Sequence, residues 1–276
     1  MKFNICIIQP QEYIHSLAFL ELAELLVYSL HDLNHEAVFQ FNKIDSKAKN
    51  ILIGFHLLDF KYAEQIPKET ILINAEQFLA NTPWNENILK WIKSFQVWDY
   101  SQQNIEVFKE IGLSNIQLLK IGYQKELTRI QRNSTPDIDI LFYGSVNTRR
   151  AKVLNALKNT GLNINSSFGI YGKERDDLIA RSKIVLNLHH YESQIFEIIR
   201  VFYLLSNAIP TVGEVNSSTC IPKQYKNTVK EAEYDDLILT CKLMVENEEL
   251  RSSQAKSGFE IIKGYPQALY MSELLS

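Results

Sequence analysis

Between residues 183 and 214 the chain reads KIVLNLHHYESQIFEIIRVFYLLSNAIPTVGE, with His189, His190, Glu192, Glu197 and Arg200 set between two apolar runs. Histidine changes charge near neutral pH, so a pair of them can move a proton or donate to an anion. Ser193 is a suitable N-cap for a helix over 194–206. The loop before it would then present its polar groups at a helix N-terminus, where anions are favoured. Glu197 and Arg200 stand three apart and share a helix face. Ile195, Ile198, Ile199, Phe202 and Leu205 form the opposite, apolar face. A second stretch, FYGSVNTRR over 142–150, has Gly144 and Ser145 closing a strand and Thr148 as N-cap of the next helix. Arg149 and Arg150 fall in that helix's first turn, where the dipole disfavours cations, and a bound phosphate would account for them. A plainer reading stands beside each. The arginines can be solvated, Glu197 and Arg200 can form an intrahelical ion pair, and one histidine can be buried while the other is exposed. Neither a Walker A loop nor a G-x-G-x-x-G fingerprint occurs.

These residues must be positioned by an alternation of short apolar strands and amphipathic helices. Strands are expected over 3–9, 35–41, 50–55, 70–74, 96–100 and 116–121, with helices over 16–33, 85–93 and 102–111. Residues 124–136, QKELTRIQRNSTP, are polar and aperiodic and read as a linker. The alternation restarts with strands over 139–143, 166–171, 183–188 and 210–212 and helices over 148–159, 174–181 and 194–206. From 231 onward the pattern is helical, broken near Gly258, Gly264 and Pro266. This predicts an α/β protein of two doubly wound, Rossmann-like domains, 1–125 and 137–276, facing a cleft. Ligands of such sheets sit at the carboxyl ends of the strands.

Composition narrows the partners. A net charge of −3 and 22% charged residues argue against a nucleic-acid protein driven by phosphate neutralisation. Three widely spaced cysteines, Cys6, Cys220 and Cys241, match no zinc spacing and are expected to be reduced thiols in a cytoplasmic protein. The greasy segment 16–33 is interrupted by Glu21, Glu24, His31 and Asp32 on one stripe, which predicts a core helix and at most peripheral membrane contact.

The order FYGS, IYG, SKIVLNLHH and FEIIRVFYLLSNAIPTV, spread over 139–214, resembles the C-terminal domain of GT-B glycosyltransferases, in particular small bacterial proteins related to the group 1 enzymes. The resemblance implies a metal-independent transfer of sugar from a nucleotide-sugar co-substrate, with no further cofactor. It places Gly144 and Ser145 against the donor diphosphate with Arg149 or Arg150 near, Tyr171 and Gly172 near the base, and Asn187, His189 and His190 near the phosphates and sugar. Glu197 and Arg200 would face the cleft, and the last helix, around 265–275, would pack back on the first domain. In many group 1 enzymes a glutamate holds the donor ribose; Tyr203 stands at that place here. The first domain would bind the acceptor, which the chain does not identify among glycan, lipid-linked sugar, protein and small molecule. His15, in the loop QPQEYIHS, is the expected acceptor base, a histidine being suited to taking a hydroxyl proton. Glu12 is its orienting partner or substitute, and His56 is the rival. A GT-B-like binding or scaffold protein without turnover, and a sugar-nucleotide epimerase, are the alternatives.

Overall fold

The computed structural model describes residues 1–78, 83–191 and 195–276. It contains two compact units, residues 1–124 with Pro266–Ser276, and Lys125–Tyr265. The first unit is built from β1 (Lys2–Ile7), α1 (Leu20–Asp32), β2 (Glu36–Phe41), β3 (Lys49–Ile53), β4 (Ile71–Asn74), α2 (Asn85–Ile92), β5 (Gln96–Asp99), α3 (Gln102–Glu110) and β6 (Ile116–Leu118). Its six strands are all parallel, in the order β2-β1-β3-β4-β5-β6. One face of the sheet is covered by α2 and α3, with Trp91 and Phe108 fully buried beside Cys6, Leu52, Leu72 and Val97. Against the start of the sheet lies α1. Covering both faces explains why the strands read as unbroken apolar runs rather than alternating ones.

The second unit contains β7 (Ile138–Tyr143), α4 (Thr148–Lys158), β8 (Ile164–Ser167), α5 (Gly172–Ala180), β9 (Ser182–Asn187), α6 (Ile198–Ser206), β10 (Thr211–Glu214), β11 (Lys230–Ala232), α7 (Leu237–Glu246) and α8 (Glu248–Lys263). Its five strands are parallel, in the order β11-β10-β9-β7-β8. After α8 the chain returns to the first unit as α9 (Gln267–Leu275), which packs on α1. Gln267 anchors it, accepting from Gly122 N at 2.6 Å and donating to the Lys120 carbonyl at 3.0 Å.

The expected fold class is what the structure has: α/β, with two parallel, doubly wound sheets. Several local expectations needed correction. The helix expected over 16–33 divides into a 3-10 stretch, Ile14–Phe19, and α1, and Glu21 is buried rather than on the solvent stripe. Ile14–Asp32 is long and apolar enough to cross a membrane, but over half of it is buried inside the protein, as expected of a helix covering a sheet. The helix expected over 194–206 begins at Ile198, so Glu197 is its N-cap residue and not part of it. Glu192 and the Ser193 cap lie outside the described residues. The short strand β11 lies where a helix was expected, because three residues carry too little periodicity to be read. Residues 125–130 are strapped to the second unit: Asn207 accepts from the backbone N–H of Arg129 and Ile130 and donates to the Leu127 carbonyl.

Candidate functional site

In both units, counted from the unit's first strand, the order begins second, first, third, fourth. The chain therefore winds one way from the first strand and then back across it. In such a sheet the crevice lies at the carboxyl ends of the first and third strands. In the second unit those ends are Tyr143-Gly144-Ser145, after β7, and Leu188-His189-His190, after β9. Gly144 has φ +138°, a region that side chains avoid, and a Cβ there would meet Arg200 Nη2 at 3.0 Å. The sequence thus places glycine where an arginine head lies against the backbone.

Arg150 is buried, and its guanidinium is fixed by three carbonyls, donating to Ser145 at 2.8 Å, to His189 at 3.3 Å and to Leu188. Arg149 forms a two-pronged pair with Glu214 at the end of β10, one arm at 2.7 Å, and lies 4.1 Å from the centre of the Tyr234 ring. The plainer reading, two solvated arginines, does not hold. The correction is physical: Glu214 is fully buried and requires a counter-charge, and the loop after β9 presents carbonyls that require donors. The helix cap is Asn147, which accepts from Arg150 N at 2.9 Å, and not Thr148. Asn147 also donates to the His190 carbonyl at 2.7 Å, so one side chain ties the two strand-end loops together.

His189 Nδ1 lies 3.0 Å from Glu197 Oε1, and the second Glu197 oxygen accepts from Asn187 Nδ2 at 2.9 Å. Asn187 Oδ1 accepts from Arg200 Nη1 at 2.8 Å. The link between Glu197 and Arg200 therefore runs through Asn187 rather than along a helix face. Ser145 Oγ and Arg150 Nη1 each lie 3.3 Å from His190 Nδ1. Burial and the Arg150 and Arg200 charges hold His190 below its ordinary range. Burial lowers Arg150 to about 10, which leaves it charged at neutral pH. Arg149 is matched by Glu214 and a protonated His189 by Glu197. Among the described residues, Arg150 and Arg200 have no carboxylate within ion-pair distance. Among the described residues the crevice thus holds two positive charges in excess when His189 is protonated, and one when it is neutral.

Gly144, Ser145, Arg149, Arg150, Asn187, His189, His190, Glu197 and Arg200 are all brought together here. Tyr171 and Gly172 stand at the start of α5, after the edge strand β8. Tyr203 is buried beneath the 125–130 strap, its hydroxyl donating to Asp176 at 2.7 Å and accepting from Arg129 at 2.9 Å. Glu214 was absent from the sequence reading. The signal was its place, at the carboxyl end of an apolar strand of the same sheet.

In the first unit the crevice lies after β1 and β3, where Gly54 has φ +79° and a Cβ there would meet the Ile8 carbonyl at 3.3 Å. His56 follows it, buried, with Nε2 3.5 Å from Glu76 Oε1 after β4. Burial lowers His56 to about 4 and raises Glu76 to about 7. Tyr13 is raised by burial and by the Glu76 charge. Glu76 is held by its backbone: its carbonyl accepts from Asn104 at 2.8 Å and Asn74 at 3.2 Å, and both amides also donate to buried Asp99. His15 lies half-buried in the 3-10 stretch, edge-on to Tyr13 at 5.2 Å, and Glu12 is exposed at φ +60°. The loop after β1 thus carries Glu12, Tyr13 and His15, and the loops after β3 and β4 bring His56 to Glu76. Glu76 was not foreseen, since a lone glutamate in NAEQF has no distinguishing pattern. No group of three or more His, Cys, Asp or Glu among the described residues is arranged to hold a metal ion.

No protein-family model matches the chain. Among curated proteins it is 33% identical over 212 residues to the uncharacterized protein R358 of Acanthamoeba polyphaga mimivirus, covering 72% of each. It is 26% identical over 179 residues to protein L140 of the same virus, which covers 62% of this chain and 57% of L140, and it spans 24% of protein L137. The match thus spans little more than half the length of L140. These relatives are viral, whereas the sequence resemblance pointed to bacterial proteins. Among solved structures, HepE from Anabaena in complex with UDP and glucose aligns over 100% of this chain and 98% of its own, at TM-score 0.63 and 7% identity. The phage T4 enzyme BGT with its UDP-glucose substrate aligns over 99% and 98%, at TM-score 0.60 and 10% identity. WaaG, a glycosyltransferase involved in lipopolysaccharide biosynthesis, aligns over 99% and 98%, at 0.59 and 9%. The fold is therefore GT-B.

Proposed function

We propose that this chain, which belongs to one family with mimivirus protein R358, is a glycosyltransferase that takes its sugar from a nucleoside-diphosphate donor. The observation that carries this reading is a pair of arginines, Arg150 and Arg200, that have no carboxylate within ion-pair distance among the described residues and stand at the switch point of the second unit of a GT-B fold. A diphosphate diester carries two negative charges and would complete that site. The neighbours HepE and BGT, crystallised with UDP and with UDP-glucose, support the same choice of ligand.

In this reading Arg150 and Arg200 bind the diphosphate and stabilise the charge that grows on it as the sugar leaves. Donors fixed in advance are effective at this because they need not reorganise during the reaction. The arginines would then supply the charge stabilisation without a metal ion. The acceptor hydroxyl gives its proton to His15 in the first unit. Its oxygen forms the new bond to the anomeric carbon, and the bond from that carbon to the diphosphate breaks, its electron pair leaving with the nucleotide. His56 is a weaker base, because burial holds it to about 4, and Glu12 is exposed. We place the protein in the cytoplasm, since Cys6, Cys220 and Cys241 are all free thiols.

Thermal shift against a set of sugar nucleotides tests the donor site. A ligand at 100 times its dissociation constant raises stability by ~2.7 kcal/mol. Silence from every sugar nucleotide would exclude the reading. With a donor in hand, His15→Ala is expected to lower turnover ~10²–10⁴-fold and leave donor binding unchanged. EDTA should leave turnover intact.

A further inference from the structure

We propose that His189 is a proton-charged donor whose Nε2–H is held for a phosphate oxygen of the nucleoside-diphosphate sugar, so that donor binding is linked to one proton. This rests on the nucleotide-sugar reading above. The geometry begins with Nδ1, which faces the Glu197 carboxylate at 3.0 Å and is thereby fixed as the donor nitrogen. The other nitrogen, Nε2, is buried and meets no hydrogen-bond partner, and the whole side chain is only 3% exposed. Buried polar atoms in folded proteins are nearly always paired, so an unpaired one calls for a ligand.

The charges around the ring decide its state. Glu197 faces it from the residue before α6. Glu214 of β10 accepts from its backbone N–H at 3.0 Å. Arg149 and Arg150 of α4 donate to its carbonyl. Arg200 of α6 reaches Asn187, which donates to Glu197, and His190 is the next residue on the same loop. Burial pulls His189 down, but Glu197 and, at greater distance, Glu214 more than offset it, and the imidazole ends above its ordinary value. An imidazolium with one N–H on a carboxylate and the other on nothing is half of an anion site. Arg150 and Arg200 supply the rest of the charge. Among the described residues the positive groups around this nitrogen outnumber the carboxylates, so an anion is the ligand that fits.

The test uses UDP-glucose, GDP-mannose and ADP-glucose, whose diphosphates do not titrate from about pH 6 to about pH 8.5, with the full chain in a calorimeter. For the donor that binds, affinity is expected to be highest at the acid end and to fall by up to about tenfold per pH unit above the pKa of free His189. His189→Gln should abolish the slope. Glu197→Gln should move the fall to lower pH, because Glu197 is what charges the ring. His190→Gln should keep the slope, which assigns it to the right histidine. In the wild-type chain, nitrogen NMR of the His189 ring should show Nε2 shifting when the sugar nucleotide is added, a readout that needs no variant to fold. Binding with a flat pH profile and an unmoved Nε2 would overturn the proposal and leave the donor site standing. Failure of all three compounds to bind would overturn the donor reading and this proposal together.

Discussion

The two switch-point crevices share a strand order and a glycine at the turn, yet their electrostatics are opposite in kind. In the second unit charges face partners: Arg149 pairs with Glu214, His189 lies on Glu197, and Arg150 and Arg200 have no carboxylate within ion-pair distance among the described residues. In the first unit burial drives the ionisable groups towards neutrality: His56 down to about 4, Glu76 and Asp99 up to about 7. The comparison teaches that topology chooses where a site lies, while the partners given to each ionisable group choose what it can hold. A crevice with uncompensated positive charge suits a diphosphate. One with a neutral histidine and near-neutral carboxyl groups suits an uncharged ligand.

The largest expected effect lies in the charged crevice. Arg149→Ala leaves Glu214 buried without its counter-ion and should cost about 3–5 kcal/mol of stability. Adding Glu214→Gln to it should recover part of that loss. Urea unfolding of the two variants measures both, and a cost under ~1 kcal/mol for the single change would break the comparison. Next comes Arg200→Ala, whose head is only half-buried. It should weaken sugar-nucleotide binding by about 10–100-fold, the value of one hydrogen bond from a charged donor, with little change in the urea midpoint. Equal affinity in variant and wild type would remove Arg200 from the donor site.

The neutral crevice is tested by pH. Glu76 has a folded-state pKa raised to about 7, so the unfolded chain releases that proton earlier, and stability falls as pH rises from the ordinary glutamate range towards 7. Glu76→Gln cannot lose that proton. It should be about 1–2 kcal/mol more stable than the wild type at pH 8 and no more stable at pH 4. His56 has the opposite sign. Its folded pKa lies below the ordinary value of 6.5, so stability is lost as pH falls from 6.5 towards 4. His56→Gln should remove about 1 kcal/mol of that loss between pH 6.5 and pH 5. If neither variant changes the pH profile, the first unit's crevice is not the neutral site described here.

Much of this protein was already determined by the order of residue types along the chain. Apolar strand runs alternating with helices specify parallel sheets covered on both faces, because a strand buried on both sides has no polar residues to alternate with. Gly144 and the paired histidines could be placed at strand ends for the same reason. Tertiary structure decided the rest. That Arg149 belongs to Glu214, 65 residues away, depends on which strand lies beside which. That Glu76 meets His56 depends on β4 pairing with β3. Whether an arginine is solvated or is buried and held by carbonyls, as Arg150 is, cannot be read from its neighbours in sequence. Burial and charge pairing act through space, and only the folded sheet brings those groups within reach.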